Sequence, residues 1–352
     1  MVVLQGGKHA PTLESRARIR HTPLMLKIEH LSLSIPAADG DKPAVSDVSL
    51  GLAPGRVLGL VGESGCGKTL TAQAILRLGE SQGIARTAGR VLLDDADVFA
   101  MPEPQLRKVR GGRISMIFQE PMTALNPVFS IGAQLLEVIR LHLDMDKQAA
   151  TERAVKLLAD VGLRDGAELL RQFPDSLSGG MRQRVLIAMA MAADPDYIIA
   201  DEPTTALDVS VQKRIIDLLR GLQQERGLGM LLVTHDFGLV AELCDEVAVM
   251  YAGHIVERGP VADIFDNPAH PYTRALMHCR PEADGKGRRL PAITGQVPAP
   301  GKWPQGCRFA ARCPLADAAC EAAVAEDAWL DGKHAARCVH VEKVEEALEA
   351  FV

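Results

Sequence analysis

A chain of 352 residues with 47% hydrophobic and 24% charged residues can fill one large core and a smaller second one, because single cores rarely grow past about 250 to 300 residues. Its net charge of −6 offers no basic field for a nucleic acid, and no run approaches the ~18 uncharged apolar residues that span a bilayer. Wholesale disorder, nucleic-acid binding and a membrane-spanning role are therefore disfavoured, and any membrane role is peripheral.

Residues 1–24 carry Arg16, Arg18 and Arg20 but no apolar core of signal-peptide length, so they read as a solvated tail without export, and Met25 can serve as the start. From residue 25 onward, short apolar runs alternate with helix-length amphipathic runs, the pattern of an α/β domain with a mostly parallel sheet. RVLGLVG (56–62), RISMIFQ (113–119), DYIIADEP (196–203) and MLLVTHD (230–236) read as buried strands ending in polar residues, where chemistry is expected. Within about 120–178, IGAQLLEVIRLHL and TERAVKLLADVGL repeat apolar residues at helical spacing and predict an inserted helical subdomain. After HPYTRALM comes a Pro- and Gly-rich stretch, PAITGQVPAPGKWPQG, which places a boundary near 266 between a first domain (25–265) and a C-terminal one (266–352). No repeat of solenoid length is present.

GESGCGKT supplies Gly62, Glu63, Ser64, Gly65, Cys66, Gly67, Lys68 and Thr69 between a strand and a helix, the context a P-loop requires. Its glycines let backbone N–H groups converge on phosphate oxygens at a helix N-terminus. Lys68 is expected to reach the β- and γ-phosphates, and the Thr69 hydroxyl to ligate Mg²⁺. The strand YIIAD delivers Asp201, a second Mg²⁺ ligand, and Glu202, a general base for the attacking water. Cys66 stands where a helix N-terminus lowers a thiol's pKa, which predicts a reactive thiol, although any small residue also fits there. In LSGGMRQR, Ser178, Gly179 and Gly180 open a helix and form a second anion-binding end. One γ-phosphate does not need two such ends within one chain; two copies facing head to tail do.

With these motifs the chain resembles the ABC transporter ATPases. LSGGMRQR, with Ser178, Gly179, Gly180 and Gln183, is similar to their signature motif; Gln119 to the Q-loop; Ala206-Leu207-Asp208 to the D-loop; His235 to the switch histidine. The resemblance covers residues 25–265. It implies a P-loop NTPase of ABC type, with a RecA-like parallel-sheet core, an antiparallel β subdomain and an inserted helical subdomain. It also implies that Gln119 senses Mg²⁺ or the attacking water, that His235 contacts the γ-phosphate and Glu202, and that Asp208 and the signature residues face a partner's ATP. The aromatic residue that often stacks on adenine is replaced by Ile35.

FQEPMTALNPVFSIGAQLLE, ADEPTTALDVSVQ and the tail HPYTRALM…ITGQVPAP…GCRFAARCP further resemble the ATPases of di- and oligopeptide importers. This implies two membrane permeases, a solute-binding protein, an ATPase dimer with itself or a related subunit, and a peripheral position on the cytoplasmic face of the membrane. The alternatives are a related importer, for nickel or another solute, and a soluble ABC module outside transport.

Four of the seven cysteines, Cys307, Cys313, Cys320 and Cys338, fall after residue 306. Four thiolates can hold zinc or an iron–sulfur cluster, and buried unligated cysteines are the third option. The resemblance favours a [4Fe-4S] cluster. His334 and His340 flank Cys338 and can substitute as ligands, although solvated loop histidines are the favoured reading, and Cys244 and Cys279 read as packing residues.

Overall fold

In the computed structural model, residues 25–205, 207–278, 293–322, 324–330 and 332–344 are described. The readings of Arg16, Arg18, Arg20, Ala206 and Cys279 lie outside them.

β1 (Leu26–Ile35) and β2 (Lys42–Leu52) alternate buried and part-exposed residues, as strands with one wet face do. They join β4 (Ala85–Leu93) and β5 (Ala96–Asp97) in an antiparallel sheet of order β2-β1-β4-β5. Buried side chains of that sheet, including Leu31, Val48 and Val91, share one core with Ile75 of the turn after the P-loop helix.

β3 (Val57–Val61), β7 (Tyr197–Asp201) and β8 (Gly229–Thr234) are buried at every position. Such strands need cover on both faces, which explains why they read as continuous apolar runs. With β6 (Ile114–Ile117), β9 (Glu246–Tyr251), β10 (His254–Pro260), β11 (Ala328–Trp329) and β12 (Ala335–Ala336) they form a sheet of order β11-β12-β10-β9-β3-β8-β7-β6. The pairs β6–β7, β7–β8, β8–β3 and β3–β9 are parallel, whereas β9–β10, β10–β12 and β12–β11 are antiparallel.

The helical insertion is built on Ile131–His142 and Lys147–Asp160. Each has a side-chain N-cap: Ser130 accepts from Ala133 N, and Asp146 from Ala149 N. Ile131, Leu135 and Ile139 of the first helix and Ala154 and Leu158 of the second are fully buried together, so two amphipathic stripes close one core.

The C-terminal region is fastened to the main body. β12 lengthens the main sheet beyond β10, and Phe309 packs with Val61, Tyr251 and Tyr272 in a third core. Tyr251, Tyr272 and Phe309 form a triangle of rings with centroids 4.6, 5.2 and 5.3 Å apart. Glu257 of β10, fully buried, accepts from Ala269 N and His270 N, and its Oε1 lies 2.7 Å from His334 Nε2. His334 is thus buried and committed to Glu257, which corrects both the solvated-loop reading and the substitute-ligand reading beside Cys338: a buried carboxylate requires a partner.

Candidate active site

The end of β3 turns sharply into the helix Lys68–Ala74. Gly67, the residue before that helix, has φ 109°, and a Cβ there would meet Met250 Cε at 2.8 Å, so only glycine fits. Lys68 is buried and donates from Nζ to Gly62 O (2.8 Å) and Glu63 O (3.1 Å), which holds its ammonium within the loop. Thr69 Oγ1 donates to Asp201 Oδ1 at 3.2 Å, bringing together two of the three side chains expected around Mg²⁺. Burial pushes the Asp201 carboxyl up to about 6; the Thr69 hydrogen bond and the Lys68 charge oppose this, and the Glu202 charge adds to it.

The third, Gln119, donates from Nε2 to Glu202 Oε2 at 3.0 Å, one residue beyond Asp201. Glu202 also accepts from Thr205 Oγ1 (2.8 Å) and lies 3.5 Å from His235 Nδ1, so the ends of β6, β7 and β8 converge on one carboxylate. Its backbone has the left-handed φ of 45°, an unusual conformation for glutamate, with its N–H donating to Val233 O at 2.9 Å. The arrangement places an acceptor for a water proton next to a phosphate loop and a pair of oxygen ligands.

Ser178 caps the helix Gly179–Ala190, accepting from Met181 N at 3.4 Å, and Ser178 and Gly179 are exposed. A Cβ on Gly180 would meet Val211 Cγ1 at 2.8 Å, and one on Gly179 would lie 3.7 Å from Leu207, so the signature end packs beside the D-loop with Asp208 exposed next to it. Gln183 departs from the expectation. It is 1% exposed, since it lies on the inward side of the helix, and its side chain is not presented to a partner.

Cys66 is also corrected. It is fully buried, and desolvation raises its thiol pKa despite the nearby Lys68 charge, so the reactive-thiol expectation gives way to a small packed residue. Cys244 packs over Gly59, whose missing side chain leaves room for its sulfur, and burial pushes its thiol up to about 12.

Three contacts had no counterpart in the motif reading. Tyr272 Oη accepts from Glu63 N at 2.8 Å, Arg312 pairs with the Glu63 carboxylate, and Gly253 N donates to Cys66 O at 2.8 Å. Their sequence signal was faint: a tyrosine in HPYTRALM and an arginine beside Cys313.

Cys307, Cys313, Cys320 and Cys338 line one small cavity with Phe309 and His340. Burial raises the Cys307 thiol, and pushes Cys313 up to about 11 and Cys338 up to about 12, with the neighbouring thiols adding to it. All four thiols therefore border the same cavity. Among the described residues, the group of three candidate ligand atoms that lie within 4.8 Å of one another is that of Asp317, Cys320 and His340, a mixed set.

Residues 45–205 match the ABC transporter family, and residues 256–320 match the oligopeptide/dipeptide transporter C-terminal region. A relative in Brucella abortus (strain 2308), provisionally named a peptide import ATP-binding protein, is 46% identical over 299 residues, covering 85% of this chain and 90% of the relative. A second provisionally named peptide import ATP-binding protein from that organism is 44% identical over 331 residues, covering 91% of this chain and 98% of its own. Among solved structures, the ATP-binding cassette MJ0796 in a dimeric post-hydrolysis state with ADP and Pi superposes with a TM-score of 0.60 at 26% identity, over 67% of this chain and 98% of the cassette. The fold and site are those of an ABC ATPase, and the chain belongs to the ABC transporter ATPases that carry the oligopeptide/dipeptide transporter C-terminal region. No helix among the described residues is long and apolar enough to cross a membrane.

Proposed function

We propose that this chain hydrolyses ATP to power import of di- or oligopeptides through separate membrane permeases. The observation that carries the reading is the convergence of Gln119, Thr205 and His235 on Glu202, beside the Thr69–Asp201 pair, in a chain whose C-terminal region has the oligopeptide-transporter pattern. Residues Gly62 to Thr69 hold the phosphates, and Lys68 leaves its two carbonyls to pair with them. Thr69 and Asp201, with Gln119 nearby, hold Mg²⁺, which supplies charge neutralisation at the β- and γ-phosphates. Glu202 accepts the proton of the attacking water while His235 and Gln119 orient it. Ser178, Gly179 and Gly180 bind the γ-phosphate held by a second ATPase subunit, the same chain or a related one, and Asp208 lies at that interface.

The helical lobe supports permease docking at the cytoplasmic face of the membrane. Val128 is 75% and Phe129 54% exposed on a segment hydrogen-bonded to 170–172, next to Phe173 at 49%. Such clustered exposed apolar side chains mark an interaction surface. The solute-binding protein joins through the permeases. In the C-terminal cavity the four cysteines hold a [4Fe-4S] cluster, with zinc as the competing occupant; either supplies a cross-link to a region with little core of its own.

Identification of proteins that co-purify from detergent-solubilised membranes tests the transport reading. Recovery of two permeases, and hydrolysis stimulated by a peptide-loaded binding protein, are expected. ATP hydrolysis with no membrane partner would leave only the soluble-module reading.

A further inference from the structure

An acidic side chain within a phosphate-binding loop is an electrostatic liability, since Glu63 places a negative charge beside the position of a triphosphate. The structure answers it from the far end of the chain. Arg312 donates from its two terminal nitrogens to Glu63 Oε1 (3.0 Å) and Oε2 (3.1 Å), a two-pronged pair. The arginine side chain is only 5% exposed. Its fork is fixed by further bonds to Thr294 O (2.8 Å), Ile293 O (3.2 Å) and Tyr251 Oη (3.3 Å). A mobile surface arginine would lose its advantage to entropy and screening; this one is held in place before Glu63 is considered.

Glu63 is gripped at every polar group. Its carboxylate meets Arg312, its N–H donates to Tyr272 Oη, and its carbonyl accepts from Lys68 Nζ. The first two grips come from C-terminal elements, the 3₁₀ turn Ala310–Arg312 and the helix Pro271–His278. That turn ends at Cys313, one of the cavity thiols, so the cysteine region and the phosphate loop are one residue apart through Arg312.

We infer that Arg312 is a positioning residue for the phosphate site: by pairing with Glu63 it cancels a negative charge that would otherwise repel the phosphates of ATP. The inference rests on the assignment of Gly62 to Thr69 as the ATP phosphate loop.

Its test is MgATP affinity of the full chain, followed by displacement of a fluorescent nucleotide, with turnover measured in parallel. Arg312→Met is expected to weaken binding roughly tenfold or more, as an unpaired charge a few ångströms from a phosphate does at the effective dielectric of a protein surface. Turnover at saturating ATP is expected to stay within about twofold, because the loss falls on binding rather than on Glu202. The deciding variant is Glu63→Gln in the Arg312→Met background, which removes the orphaned charge and is expected to recover most of the affinity. A purely structural clamp gives no such rescue, so a double variant as weak as Arg312→Met overturns the inference, as does an Arg312→Met protein that binds like the parent. If Arg312→Met does not fold, as judged by circular dichroism, Arg312→Lys replaces it in both variants. Lysine keeps the charge without the fork, and a loss of roughly threefold, again relieved by Glu63→Gln, is expected. Lys68→Ala serves as the control: unchanged MgATP affinity in that variant overturns the phosphate-loop assignment itself, whereas lost affinity there with none lost at Arg312 overturns only the role of Arg312.

Discussion

The phosphate loop and the cysteine cavity are both small sites of polar side chains on one main body, yet they are assembled in opposite ways. In the first, contiguous residues create the geometry: a buried strand, a loop whose Gly67 has φ 109°, and a helix follow one another within 57–74. In the second, the four thiols come from positions 307, 313, 320 and 338, separated by short elements of two to five residues, and line one cavity because Phe309 and β12 are docked on the body. A site made by local backbone can be read in a motif, while a site made by docking inherits its geometry from distant contacts.

The largest expected effect tests the independence of the first site. Glu202→Gln should reduce ATP hydrolysis by about 10² to 10⁴-fold while MgATP still binds, as measured by phosphate release and nucleotide retention. Normal turnover in that variant would remove Glu202 from the chemistry.

Next in size is the attachment of the second region. His334→Ala leaves the Glu257 carboxylate buried without its ring partner, so unfolding should become easier by about 3 kcal/mol in chemical denaturation. Little change would mean that the tail is held by its other contacts, the aromatic triangle and the Arg312–Glu63 pair among them.

Cys313→Ser should abolish or sharply lower bound iron or zinc in anaerobically purified protein, read by elemental analysis, while Glu202-dependent hydrolysis persists. Metal content equal to the parent would point instead to the Asp317, Cys320 and His340 set.

A further effect is expected from acid. Burial holds His254 and His270 at about 3 in the folded chain, against 6.5 for an exposed imidazole. The unfolded chain therefore takes up protons first, and the stability present above 6.5 is lost as pH falls from there toward 3. Thermal melts should show that decline, and His254→Gln should make it shallower.

The smallest effect concerns Cys66. Its buried, raised thiol should react with iodoacetamide far more slowly in the native chain than after denaturation, by mass spectrometry of the 66-containing peptide. Rapid native labelling would restore the reactive-thiol expectation.

The alternation of apolar strands with amphipathic helices, the phosphate loop and the acidic strand end at Asp201 and Glu202 were legible in the sequence, because burial on both sheet faces and special backbone angles demand particular residues locally. Gln183 was assigned to the wrong side of its helix, and Cys66 stayed open between a reactive thiol and a small packed residue, because a motif shows which residues are near in sequence, not which face of the helix or loop points inward. The commitment of His334 to Glu257, the grip of Arg312 on Glu63 and the lining of one cavity by four thiols needed the tertiary structure. Their partners lie 77 residues apart for the first pair and 249 for the second, and only the packing of the C-terminal region on β10 and the aromatic triangle brings them into contact.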